Sequence, residues 1–94
     1  MRAIVVAGLA VAGLVLAGPA SASSELAKKS GCLNCHAVDT KKVGPSFKDV
    51  AASHKGKAGA EAELDAKISA AKGHPKVKAS EDDVKVLVKW ILAM

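Results

Sequence analysis

Cys32-Leu33-Asn34-Cys35-His36 forms a C-x-x-C-H box in the first half of this 94-residue chain. Two thiols at this spacing lie about one helical turn apart, so both reach the vinyl groups on one edge of a haem and tether it through thioether bonds. The histidine that follows at once is delivered to the iron as an axial ligand. The box therefore predicts one covalently bound haem c, held by Cys32 and Cys35 and ligated by His36.

Other uses of two cysteines are a structural disulfide, a thioredoxin-like redox pair and a zinc site. A thioredoxin-like pair belongs beside a βαβ pattern, and no alternating apolar run follows Cys35. A zinc site of the usual kind needs two further ligands at short spacing, and the chain contains only two cysteines. Haem attachment is therefore the preferred interpretation.

The chain begins with the pattern of an export signal. Arg2 supplies a positive charge, residues 3–17 form an uncharged apolar run, and Ala20-Ser21-Ala22 matches an A-x-A cleavage site. The run is shorter than the roughly 20 residues of a membrane-spanning helix. We predict a signal peptide at residues 1–22, cleaved on export to the periplasm, and a single domain at residues 23–94 that is not stably inserted in the membrane.

The composition favours a protein partner over a nucleic acid. The formal net charge is +5, but Arg2 is the only arginine, and Phe47 and Trp90 are the only aromatic residues of the Phe, Trp and Tyr types. Such a chain lacks the arginines and aromatic side chains that bind nucleic acids. Large apolar residues are also few after residue 22, so we expect the haem to complete the core of a small monomer.

Helical periodicity predicts four short helices. The predicted segments are residues 23–29 with Ser23 and Ser24 at the start, residues 46–54, residues 60–72 ended by Gly73, and a last helix capped by Ser80. The last helix has the clearest pattern, because its apolar residues recur at i, i+3, i+4 and i+7. These residues are Val84, Leu87, Val88 and Ile91.

With these segments in place, the sequence resembles the class I cytochromes c, in particular the short bacterial monohaem type. The matching motifs are GCLNCHA at 31–37, VGP at 43–45, FKDVAA at 47–52, AGAEAEL at 58–64, SEDD at 80–83 and LVKWIL at 87–92. The resemblance implies an all-α fold in which about four short helices surround the haem, with the first and last helices crossing near Leu26 and Trp90. It also implies that the carbonyl of Pro45 accepts a hydrogen bond from the ring of His36.

The sequence departs from this family at the sixth ligand of the iron. Family members carry a Met, usually next to Pro, before the last helix, whereas this chain has His74-Pro75 at that place. The resemblance therefore implies His74 as the second axial ligand, with His54 as an alternative and Met94 poorly placed. A second imidazole donates more strongly than a thioether and favours Fe(III), so we expect a low reduction potential.

Together these features predict a periplasmic one-electron carrier. An enzyme is not expected, because no distal acid–base constellation can be identified. The expected partners are oxidases, reductases or dehydrogenases with acidic docking surfaces. The candidate docking residues are the lysines nearest the expected haem crevice: Lys41, Lys42, Lys72, Lys76 and Lys78. The alternative is a haem protein that binds nitric oxide, carbon monoxide or oxygen at a labile sixth position.

Overall fold

The fold, described for residues 18–94 by a computed structural model, consists of four α-helices and one 3₁₀ turn. The elements are α1 (Gly18–Lys29), the 3₁₀ turn (Cys32–Asn34), α2 (Phe47–Ser53), α3 (Ala60–Ser69) and α4 (Glu81–Leu92). No strand occurs in residues 18–94, and the predicted all-α class is confirmed. Among the helices described, none is long and apolar enough to cross a membrane.

Helix α4 lies at the centre of the fold, because α1, α2 and α3 all pack against it. Its buried residues are the predicted stripe of Val84, Leu87, Val88 and Ile91. The hydroxyl of Ser80 accepts a hydrogen bond from the backbone N–H of Asp83 at 3.1 Å, which caps the helix as predicted. The packing of α1 against α4 confirms the expected crossing of the first and last helices.

Helix α2 connects the C-x-x-C-H box to the core. Ser46 caps it by accepting a hydrogen bond from the backbone N–H of Asp49 at 3.1 Å. Two further bonds, Phe47 N–H to the Ala37 carbonyl at 2.9 Å and Lys48 N–H to the Val38 carbonyl at 3.0 Å, hold the start of α2 against the segment after the box. The buried ring of Phe47 packs edge-on against Trp90 of α4, with centroids 5.6 Å apart.

Helix α1 differs from its prediction at the N-terminal end. It begins at Gly18 rather than at residue 23, so Ser23 and Ser24 lie inside the helix and do not cap it. The small residues 20–22 continue the helix upstream, and Ser23 is buried within it. Residues 1–17, which hold most of the predicted export signal, lie outside the described residues, and cleavage after residue 22 stays a prediction.

Helix α3 ends three residues before the predicted boundary, and Ala71 rather than Gly73 makes the stop. Ala71 has φ of +53°. The N–H of Lys72 donates to the Lys67 carbonyl at 3.0 Å and that of Ala71 to the Ile68 carbonyl at 3.3 Å, which is the bond pair of a Schellman motif. The predicted stop at Gly73 is wrong, because the residue in left-handed conformation after a helix is usually glycine, and in α3 it is an alanine.

Candidate functional site

The C-x-x-C-H box folds as one tight turn that follows α1. Gly31 precedes it with φ of +86°, a conformation that glycine adopts without steric cost. The backbone N–H groups of Cys35 and His36 both donate to the carbonyl of Cys32, at 3.2 and 3.0 Å. Both cysteines line the same cleft, so one short turn presents two thiols and an imidazole to one cavity.

The Cys32 thiol does not have the character of a reactive redox cysteine. Burial raises the pKa of the Cys32 thiol, and the hydrogen bond from its own backbone offsets this only in part. Reactive cysteines of the thioredoxin type instead have a lowered pKa, because the thiolate is the nucleophile. The environment of Cys32 therefore does not favour the thioredoxin-like alternative.

His36 is held tightly on one wall of the cleft. Its Nδ1–H donates to the Pro45 carbonyl at 2.6 Å, the acceptor that the family resemblance implies. The ring stacks on Phe47 with centroids 5.3 Å apart. Gly44 lies so close that a Cβ there would be 2.5 Å from His36 Cε1 and 2.9 Å from Nδ1. Only glycine fits at residue 44 while the ring keeps this position.

His74 lines the same cleft and lies close to His36. The two ring centroids are 6.1 Å apart and the ring planes differ by 6°. The Nδ1–H of His74 donates to the carbonyl of Pro75 at 2.7 Å. With Nδ1 of each ring engaged by a carbonyl, Nε2 is the nitrogen that remains to bind a metal on either side.

This geometry fits a metal ion shared by the two rings. A bond from imidazole nitrogen to a first-row metal is roughly 2.0–2.1 Å long. The ring centroid lies about 1.1 Å behind that nitrogen, so two imidazoles on opposite sides of one ion have centroids about 6.2 Å apart. Within residues 18–94, no three His, Cys, Asp or Glu side chains converge to hold a metal.

The cleft has the size and lining of a site for a large apolar cofactor. Its volume is about 860 Å³, within the range of cofactor pockets in proteins. Both cysteines and both histidines line it, together with apolar side chains of α2, α3 and α4 such as Val50, Leu64, Ile68, Leu87, Val88 and Ile91. The residues present thus fit a haem tethered at Cys32 and Cys35.

The lysines at this cleft are only partly those that the sequence indicated. Lys76 and Lys78 line it, whereas Lys41, Lys42 and Lys72 are exposed but do not. Lys42 instead donates to the Leu33 carbonyl at 2.9 Å, behind the box. Sequence reasoning missed three lysines that do line the cleft, namely Lys28, Lys29 and Lys67. Lys67 could have been predicted, because it lies one helical turn after the apolar residue Leu64 and therefore on the same face of α3.

The remaining candidate ligands lie apart from the facing pair of rings. His54 is half-buried at the end of α2, and its Nδ1–H donates to the Val50 carbonyl at 2.9 Å. Its side chain reaches the edge of the cleft but is held by its own helix. Met94 is 41% exposed at the end of the chain and lines a separate surface groove.

Curated bacterial proteins are similar to this chain over nearly its whole length. Cytochrome c-551 of Pseudomonas aeruginosa is 41% identical over 102 residues, covering 99% of this chain and 98% of that protein. Cytochrome c-552 of Nitrosomonas europaea is 40% identical over 93 residues, covering 90% of each. No family model matches the chain.

Solved structures of bacterial cytochromes are also similar to this chain. Wild-type cytochrome c552 of Nitrosomonas europaea superimposes with a TM-score of 0.66 at 41% identity, covering 74% of this chain and 96% of that one. The class 1 cytochrome MtoD of Sideroxydans lithotrophicus has the same TM-score at 36% identity, covering 78% of this chain and 92% of that one.

Proposed function

The chain belongs to the class I monohaem cytochromes c, and from that premise we propose that it is a periplasmic, low-potential electron carrier whose iron is ligated by His36 and His74. Proteins of this family carry one covalently attached haem c and transfer electrons rather than act as enzymes. The haem supplies a one-electron iron couple, and the protein supplies orientation, a low-dielectric cleft and a docking surface.

The separation of the two imidazoles is the observation that carries this proposal. Centroids 6.1 Å apart and planes 6° apart match two rings on opposite sides of one metal ion. Each ring is oriented by a carbonyl that accepts from Nδ1, as metal-bound histidines usually are. Neither His54 nor Met94 has a position of this kind.

Ligation by two imidazoles leads to a low reduction potential. Imidazole donates more electron density to iron than a thioether does, and Met/His ligation is associated with higher potentials. The Nδ1–H bonds to Pro45 and Pro75 make both rings more basic and act in the same direction. A carrier of this type accepts electrons only from comparably low-potential donors.

Electron paramagnetic resonance of the oxidised protein, with absorption spectra of the reduced protein with and without carbon monoxide, tests the ligation. We expect a low-spin ferric signal of the bis-imidazole type and no spectral change on adding carbon monoxide. A thioether-ligated spectrum, or a high-spin five-coordinate one, would overturn the assignment of His74. The variant His54→Gln is the matched control and keeps the wild-type spectra.

A second candidate function, the binding of a small gas molecule, is favoured by one observation. His74 lies on an exposed segment, between Gly73 and Pro75, which are both exposed. If this segment opens, the position facing the iron becomes accessible. Rapid binding of carbon monoxide to the reduced wild-type protein would select this function over electron transfer.

The lysines around the cleft support docking to an acidic redox partner. Five of them line the opening: Lys28, Lys29, Lys67, Lys76 and Lys78. Exposed charges of one sign steer an oppositely charged partner, and salt screens that attraction. We expect the electron-exchange rate with an acidic partner to fall as ionic strength rises. Lys76→Gln should weaken this salt dependence, whereas Lys85→Gln on exposed α4 surface should not.

A further inference from the structure

Each of the two histidines in the cleft donates a hydrogen bond from Nδ1 to the carbonyl of a proline. The Pro45 carbonyl accepts from His36 Nδ1 at 2.6 Å, and the Pro75 carbonyl accepts from His74 Nδ1 at 2.7 Å. Pro45 lies nine residues after His36, whereas Pro75 directly follows His74. The first acceptor therefore depends on the path of the loop between the two residues, and the second lies within a dipeptide.

We propose that Pro75 is a positioning residue that holds His74 in the tautomer and ring orientation needed to bind iron. This inference rests on the proposed function, since it assumes that His74 is an axial ligand. The bond from Nδ1–H to the Pro75 carbonyl favours the tautomer of the neutral ring in which Nε2 is the nitrogen that can bind a metal. It also fixes the rotation of the ring, which lies within 6° of the plane of His36.

Proline suits this role because it restricts the backbone on both sides of the bond. Its ring fixes φ near −65°, which limits where its own carbonyl can lie. It also disfavours the helical region for the residue before it, which narrows the conformations open to His74. The acceptor is thus preorganised, although the surrounding segment is exposed.

The segment after Pro75 is attached to the rest of the molecule. The N–H of Lys78 donates to the Ser30 carbonyl at 3.3 Å, directly before the C-x-x-C-H box. At residue 73 the backbone is in a left-handed conformation, with φ of +71°. Between Gly73 and the bond at Lys78, the dipeptide 74–75 orients the ring with its own backbone.

A replaceable imidazole tests the hydrogen bond directly. In the haem-loaded variant His74→Gly, added imidazole can donate a second N–H to the Pro75 carbonyl, whereas 1-methylimidazole cannot. Both are titrated against the ferric protein by absorption, in the folded state and in guanidinium, where the carbonyl is displaced. The quantity compared is the ratio of the affinity for imidazole to the affinity for 1-methylimidazole. We expect this ratio to be about tenfold larger in the folded protein than in guanidinium, because losing the hydrogen-bond partner of a metal-bound histidine weakens binding by about that factor.

The possible outcomes distinguish the role of Pro75 from the ligation of iron by His74. An equal preference in both states would overturn the role of Pro75 and leave ligation by His74 intact. A His74→Gly protein whose spectrum equals that of wild type before any addition would overturn the proposed ligation itself. If neither imidazole binds the folded variant, the variant Pro75→Gly decides.

Pro75→Gly retains His74 and loses only the backbone restriction. Near-parallel imidazole planes give a rhombic ferric resonance spectrum, and rotation of one ring makes that spectrum more anisotropic. We expect the wild type to be rhombic and Pro75→Gly to show a broadened or more anisotropic signal with a shifted midpoint. Ala79→Gly, in the same segment, is the control for flexibility alone. Spectra and midpoint of Pro75→Gly that match those of Ala79→Gly would overturn the proposal.

Discussion

The two walls of the cleft hold their histidines by different means. His36 is fixed by contacts with the segment 44–47: the Pro45 carbonyl at 2.6 Å, the Phe47 ring at 5.3 Å, and the backbone of Gly44 beside the ring. His74 is oriented by its neighbour Pro75 in an exposed segment. Both histidines are half-buried and both prolines are exposed, but only His36 also stacks on a buried side chain, that of Phe47.

If His74 binds iron, as proposed, this difference would explain why the ligand at residue 74 can differ from the family's Met. Replacing His36 would disturb the box, Phe47 and, through Phe47, Trp90 of α4. Residue 74 lies between exposed residues, so exchanging its side chain should leave the fold unchanged. The TM-score of 0.66 with cytochrome c552 agrees with a conserved scaffold.

The largest expected effect comes from removing both tethers on the His36 side. If the haem hides about 400 Å² of apolar surface, it contributes on the order of 10 kcal/mol, comparable to the stability of a small domain. The haem-free double variant Cys32→Ala, Cys35→Ala should therefore show no cooperative thermal transition by circular dichroism. A sharp transition like that of the haem-loaded wild type would show that the protein core is sufficient.

Exchanging the ligand on the other wall should leave the fold intact but change the redox chemistry. His74→Met should raise the midpoint potential by about 0.2 V, equivalent to about 5 kcal/mol for one electron. Redox titration followed by absorption measures this shift. His54→Met places the same side chain at the other histidine and should leave the midpoint unchanged. An unchanged midpoint in His74→Met would mean that residue 74 is not on the iron.

A side chain at Gly44 should be costly because it can be accommodated only if the His36 ring moves away from its hydrogen bond to Pro45. Gly44→Ala places a Cβ 2.5 Å from His36 Cε1, and we expect a loss of about 1–3 kcal/mol in the free energy of unfolding. The visible spectrum should shift as the ring is displaced. Gly56→Ala is the control: its φ is +76° and no atom lies within 4 Å. That variant carries only backbone strain and should keep the wild-type spectrum.

The smallest expected effect is a stabilisation of the segment before His74. Ala71 has φ of +53°, a left-handed conformation that costs an L-residue roughly 1 kcal/mol. Ala71→Gly should raise the free energy of unfolding by about 0.5–1 kcal/mol, measured by denaturant titration. Ala70→Gly, next to it in a right-handed conformation, should instead destabilise. If both variants changed the free energy of unfolding by the same amount, Ala71 would not be strained by its left-handed conformation.

Features that depend on a few neighbouring residues were predictable from the sequence. The apolar stripe and the Ser80 cap of α4 follow from spacing alone, and both are present. Helix ends were less predictable: α1 starts at Gly18 and α3 stops on Ala71. Both depend on what the adjoining backbone does, which residue preferences near the boundary do not determine.

Sequence by itself determined the chemistry of the box, because two thiols and an imidazole within five residues are brought together by a single turn of backbone. The resemblance already implied that His74 pairs with His36, but only the tertiary structure gave the separation of the ring centroids, 6.1 Å. That distance depends on how α3 and α4 pack and on where the segment between them is attached. Such long-range relations arise from burial and backbone hydrogen bonding across the whole domain, and no local motif encodes them.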